Sequence, residues 1–150
     1  MLSQRRISAR RLQPNGRKVP KVYFFDAAAA QGPNTGGAKL ENVVACALFK
    51  FVHSQQNGFG KNHFLHYFRD REKREVDFVV TLNRKPHWCI EVKSNDDALH
   101  LPLRYLHERP RPRRSIQLIR GLKREWEKDG VEGRNLERWL DQLNVGPSGA

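Results

Sequence analysis

The stretch from Glu75 to Lys93, EVDFVVTLNRKPHWCIEVK, constrains this chain more than any other. It reads as two short strands, Val76 to Leu82 and His87 to Lys93, joined by a tight polar turn centred on Arg84. Period-two alternation places Asp77, Val79 and Thr81 on one face of the first strand, and Cys89, Glu91 and Lys93 on one face of the second. In that register Asp77 lies directly opposite Glu91, and Thr81 opposite His87. Directly opposed carboxylates repel, so the arrangement calls for a cation. Lys93 can serve, and so can a divalent metal.

The chain has 150 residues, enough for one domain with a sizeable core. Its 28 Lys and Arg against 16 Asp and Glu leave a formal charge of +12, which suits a polyanionic partner. Nucleic acid is the partner that charge points to. A soluble basic protein, or a fragment whose acidic partner domain is missing, would carry the same excess. No apolar run approaches the roughly 20 residues that a membrane helix needs, so no membrane partner is expected. Cys46 and Cys89 sit among apolar neighbours with no redox spacing, and are expected as small core residues of a cytoplasmic protein.

Residues 1–20 are basic and free of acids, with Pro14-Asn15-Gly16 breaking any helix. They are expected to be a poorly ordered arm. Their composition also suits phosphate contact or a transit peptide, and a solvated tail is the plainer reading. A domain is expected over residues 21–143, followed by a flexible tail at 144–150. Lys21 to Asp26 is predicted as a strand. The glycine-rich segment that follows lacks the GxxxxGK[ST] pattern, which is absent throughout, so no nucleotide site is expected.

Leu40, Val43, Val44, Ala47, Leu48 and Phe51 recur at helical spacing and predict a helix from Ala38 to His53. Glu41 falls at the margin of that apolar stripe, able to lean toward a site beside the sheet; an ordinary first-turn glutamate would look the same. A polar loop over Ser54 to Asn62 and a strand from His63 to Arg69 lead into the hairpin, so three strands form a meander. Ser94-Asn95-Asp96-Asp97 reads as the start of a helix through Glu108, with Pro102 in its first turns. Arg109, Arg111, Arg113 and Arg114 fall in a proline-rich basic loop, a candidate phosphate contact. Ser115 to Arg120 is predicted as a strand and Asn135 to Leu143 as a helix. Trp88, Trp126 and Trp139 are expected as core anchors rather than base-stacking platforms. The six histidines show no zinc-ligand spacing.

The fold class implied is α/β: a mixed central sheet of about four or five strands with helices on both faces. The residue types suit metal-assisted hydrolysis. Two close carboxylates offer hard oxygen ligands to Mg²⁺. A lysine on the same face can orient water or stabilise developing charge. An Asp–Lys ion pair across two strands would leave the same trace.

The order of elements and the Glu91-x-Lys93 tripeptide resemble the PD-(D/E)xK, restriction-endonuclease-like, nuclease superfamily. That resemblance implies Asp77 and Glu91 as metal-binding acids for Mg²⁺ or Mn²⁺, Lys93 as the catalytic lysine and Glu41 as the acid of the first helix. More closely, Lys21 to Asp26, Leu40-Glu-Asn-Val-Val44, Tyr67-Phe-Arg69, Glu75-Val-Asp-Phe78 and Ile90-Glu-Val-Lys93 resemble one group. It is the C-terminal domain of unknown function that follows an AAA+ ATPase module in many prokaryotic proteins. Val76 stands where the superfamily usually has proline. With no Walker motif in this chain, the resemblance implies no ATPase activity. It implies a Mg²⁺-dependent nuclease-like domain acting on DNA phosphodiester bonds, or else a non-catalytic docking or nucleic-acid-binding module that meets an ATPase domain.

Overall fold

Two adjacent residues in the left-handed region, Asn83 (φ 51°) and Arg84 (φ 66°), close the central hairpin. Positive φ at both central positions is the type I′ pattern, whose twist matches that of paired strands. The flanking strands are β4 (Glu75–Leu82) and β5 (Lys85–Lys93). Leu82 pairs with Lys85 and Thr81 with Pro86, so Thr81 does not face His87 as expected. The register then shifts, leaving His87 as an extra residue, and Val80–Trp88, Val79–Cys89 and Phe78–Ile90 follow. The two-residue turn fixes the first pairs. The bulge restores the register that brings Asp77 opposite Glu91.

The computed structural model describes residues 6–11, 21–24 and 35–144. Around the hairpin lie β1 (Arg6–Arg11), β2 (Lys21–Phe24), β3 (His63–Arg69), β6 (Arg114–Ile119), β7 (Trp126–Lys128) and β8 (Val131–Asn135). They form one mixed sheet in the order β2-β1-β3-β4-β5-β6-β8-β7. The α/β architecture is therefore as expected, with more strands than the four or five predicted. The meander β3-β4-β5 is antiparallel, whereas β5, β6 and β8 run parallel. Arg6–Arg11, within the arm expected to be poorly ordered, is a strand that pairs with β2 and β3. Phe25, Asp26 and the expected tail after Asn144 lie outside the described residues.

Three helices cover the two faces. α1 (Thr35–Phe59) runs six residues beyond the predicted end at His53. Gln55 is buried there, and Gly60 (φ 61°) supplies the left-handed residue that ends the helix. α1 and α3 (Leu136–Asn144) pack on one face, where Val44, Leu48 and Val52 meet Phe78, Val80, Trp88, Ile90, Leu136 and Trp139. The indoles of Trp88 and Trp139 meet edge to face at 6.0 Å, as core anchors should. α2 (Leu101–Glu108) covers the other face, with Leu103 and Leu106 on Phe68, Val76, Val79 and Cys89. Both cysteines are free, and burial pushes the Cys89 thiol up to about 12.

The helix expected from Ser94 starts only at Leu101, with Pro102 in its first turn. Two side chains hold the preceding segment out of helical geometry. Asp96 Oδ1 accepts from the Ala98 amide at 2.9 Å, closing an Asx turn. Gln117 from β6 occupies the carbonyl of Ala98 and the amide of His100.

Candidate site at the Asp77–Glu91 crossing

The ladder between β4 and β5 ends at Phe78–Ile90, and one step further Asp77 stands opposite Glu91. Here side chains take the place of backbone partners. The Asp77 amide donates to Glu91 Oε2 at 3.1 Å, and the Val92 amide donates to Asp77 Oδ2 at 3.0 Å. Each carboxylate crosses to the other strand, so an amide hydrogen lies between each acid and its neighbour's backbone. Each of the two opposed acids is thereby given an amide donor from the facing strand.

Glu91 is 6% exposed and has two further neighbours on its other oxygen. Lys93 Nζ lies 3.2 Å from Glu91 Oε1, on the shared strand face that alternation predicts. Lys93 is thus one cation beside the opposed acids. His100 Nε2 lies 3.5 Å from the same oxygen and 2.9 Å from the carbonyl oxygen of Glu75. Both neighbours of Nε2 are acceptors, which assigns the hydrogen to Nε2.

Glu41 lies in the second turn of α1. Phe78 and Ile90 point into the core beneath α1, so Glu91, one residue along β5 from Ile90, faces the side that α2 covers. β4 is bulged beside Asp77, where Asp77 and Phe78 together stand across from Tyr67. Among the described residues no group of three or more His, Cys, Asp or Glu is placed to hold a metal ion. The structure joins Asp77, Glu91 and Lys93.

The basic loop lies toward the other end of these strands. Arg114 pairs with Trp88, three residues before Glu91 in β5. At about 3.3 Å per residue that separation is about 10 Å. Arg109, Arg111 and Arg113 are exposed. Arg114 instead makes a two-pronged contact with Glu132, Nε to Oε1 at 2.9 Å and Nη2 to Oε2 at 2.8 Å. Its guanidinium belongs to an ion pair with Glu132.

Sequence reasoning did not find His100 or Gln117. His100 was hidden in an expected helix. Gln117 gave a signal: it is the one amide in the apolar run Ser115 to Ile119, and it is fully buried. A buried amide in such a strand needs polar partners, and those partners identify the segment it fixes.

A mixed α/β domain with two crossed carboxylates and a lysine at a strand end is the class of protein that fold and site define. Residues 36–138 match the family described as a domain of unknown function, DUF4143, and the chain belongs to that family. No curated protein and no solved structure matches the chain. No helix among the described residues is long and apolar enough to cross a membrane.

Proposed function

We propose that this domain is a metal-dependent phosphodiesterase of the PD-(D/E)xK type acting on DNA. The observation that carries the reading is the crossing of Asp77 and Glu91 with Lys93 Nζ 3.2 Å from Glu91. Carboxylate oxygens from adjacent strands are hard donors of the kind Mg²⁺ or Mn²⁺ takes, so Asp77 and Glu91 fit such an ion. When bound, the ion supplies Lewis acidity toward a phosphoryl oxygen.

The chain's own residues do the rest. Lys93 offsets the charge of the two acids and presents an ammonium to the negative charge that develops on phosphorus oxygens. The strand amides of Asp77 and Val92 hold the carboxylates in place before any ligand arrives. Arg109, Arg111 and Arg113 would meet phosphates away from the reacting one, about three base-pair steps at roughly 3.4 Å each. The net charge of +12 favours such a substrate.

The test is nicking of supercoiled DNA by the purified protein with Mg²⁺ or Mn²⁺. Cleavage is expected from the native chain and not from Lys93→Ala, with circular dichroism unchanged. No activity on single- or double-stranded DNA or RNA with either metal would sink the reading.

A second reading is favoured by the same hydrogen bonds. Each carboxylate already has a strand amide as partner, so the pair also works as a structural clasp in a non-catalytic docking or nucleic-acid-binding module, one that meets an ATPase domain. In that case replacing Asp77 and Glu91 by Asn and Gln leaves partner or DNA binding unchanged.

A further inference from the structure

We propose that His100, locked by Gln117, is a positioning residue for the Glu91 carboxylate. The inference rests on the reading of Glu91 as an ion-holding acid only for its consequence; the positioning itself is a matter of geometry.

Gln117 stands in register with Glu91 on the parallel neighbour β6 and is fully buried. Both ends of its amide are committed to the segment after β5. Nε2 donates to Ala98 O at 2.8 Å, and Oε1 accepts from the His100 amide at 2.9 Å. An amide makes these two bonds only in one orientation, and its burial leaves no water to replace either partner. The loop from Ser94 to His100 is therefore tied to the sheet beside the acids, although it has no regular structure of its own.

That tie fixes the imidazole. His100 Nε2–H bonds the Glu75 carbonyl at 2.9 Å, which anchors the ring across β4, and its second neighbour is Glu91 Oε1 at 3.5 Å. Glu91 is thus approached from three directions: the Asp77 amide from β4, Lys93 from its own strand and His100 from the loop. Asp77 and Lys93 act from within the hairpin. His100 sets its ring beside the carboxylate from the segment that enters α2. Partners that orient a ligand in this way commonly change metal affinity or activity when removed.

The experiment separates the positioning from the function. Amide hydrogen exchange without metal reads the Glu91 carboxylate directly, because the Asp77 amide donates to it. In His100→Ala, exchange at Asp77 is expected to rise about tenfold relative to Phe78, while the Phe78 rate itself stays unchanged. His100→Gln, which can return an N–H near the Nε2 position, is expected to restore most of the protection. Gln117→Leu, which keeps the core filled but frees the loop, is expected to reproduce the His100→Ala result. Unchanged Asp77 protection in His100→Ala overturns the proposal, whatever the protein does with metals. Calorimetry with Mn²⁺ then tests the site reading. Binding by the native chain that weakens about tenfold or more in His100→Ala supports both. Undetectable binding by the native chain, with the exchange result as expected, removes the metal reading and leaves the positioning in place.

Discussion

Asp77 and Glu91 stand opposite each other, yet their carboxylates do not meet head-on: the Asp77 amide donates to Glu91 Oε2 at 3.1 Å while Asp77 Oδ2 reaches the Val92 amide at 3.0 Å. Removing one arm has a defined cost. Asp77→Ala leaves the Val92 amide without this acceptor, and urea unfolding should show a loss of about 1–2 kcal/mol, the range for a hydrogen bond to a charged group. Asp77→Asn keeps an oxygen at that position and should lose less than half as much. An Asn variant as unstable as the Ala variant would show that charge, not the bond to Val92, carries the stabilisation.

Two histidines set the response to mild acid. Burial lowers the pKa of His63 below 6.5, and the positive charge of Lys61 lowers it further. His63 is 3% exposed, and its Nδ1 has no hydrogen-bond partner among the described residues. Burial likewise lowers His87, with His63, Arg113, Arg114 and Lys61 adding to it. Each group binds its proton more readily in the unfolded chain. Their contribution is therefore full above about pH 6.5 and is lost as pH falls toward the folded values. Unfolding in urea at pH 5, 6, 7 and 8 should show stability falling below pH 6.5. His63→Phe with His87→Gln should flatten that slope.

A different acid limb belongs to Glu132. The Arg114 hydrogen bonds, with Arg134 adding to them, outweigh burial and hold its carboxyl below the ordinary 4.5. Its contribution is present above pH 4.5 and is lost as pH falls through the folded value. Glu132→Gln leaves the guanidiniums of Arg114 and Arg134 facing each other. About 1–2 kcal/mol is the expected loss at pH 7, discounted from a buried pair because Arg114 is partly exposed. Equal stability of mutant and native chain at pH 7 would contradict it.

The β7–β8 turn admits only glycine at one position. Gly130 has φ 78°, and a Cβ there would lie 2.1 Å from His107 Nε2. Gly130→Ala should cost about 1–3 kcal/mol from the left-handed backbone, plus the displacement of His107. Adding His107→Ala should recover the steric part and leave the backbone part, which a double-mutant cycle measures.

The two kinds of arginine in the 109–114 segment should separate in a DNA-binding assay. Replacing the exposed Arg109, Arg111 and Arg113 by Ala should reduce the slope of log K against log salt by about 1 for each phosphate no longer neutralised, with no change in melting temperature. Arg114→Ala should lower the melting temperature through Glu132 and leave the slope almost unchanged. A slope insensitive to the triple change would place any DNA contact elsewhere.

Much of the fold was legible because its signals are local. The bounds of β3 follow from alternation over His63 to Arg69, and the trio Asp77, Glu91 and Lys93 from alternation on two short strands. Other elements depended on contacts distant in sequence. Ser94 to Asp97 has the residues of a helix start, but Gln117, seventeen positions after His100, captures that segment and delays the helix to Leu101. β7 is three residues long and half polar in character, so only its pairing with β8 defines it.

The chain's own order of residues determined the hairpin, the opposition of Asp77 to Glu91 and the presence of Lys93 on their face. Strand alternation is a property of the backbone and needs no partner to be read. Tertiary structure decided which side of the sheet those acids face. Periodicity assigns Glu41 a position on its helix but not the face on which that helix lands; the apolar match of Val44 and Leu48 to Phe78 and Ile90 put α1 on the side of the sheet away from Glu91. It also decided which groups complete the site. His100 reaches Glu91 only because a buried amide on the neighbouring strand, with no water to satisfy it, had to take Ala98 and His100 as its partners.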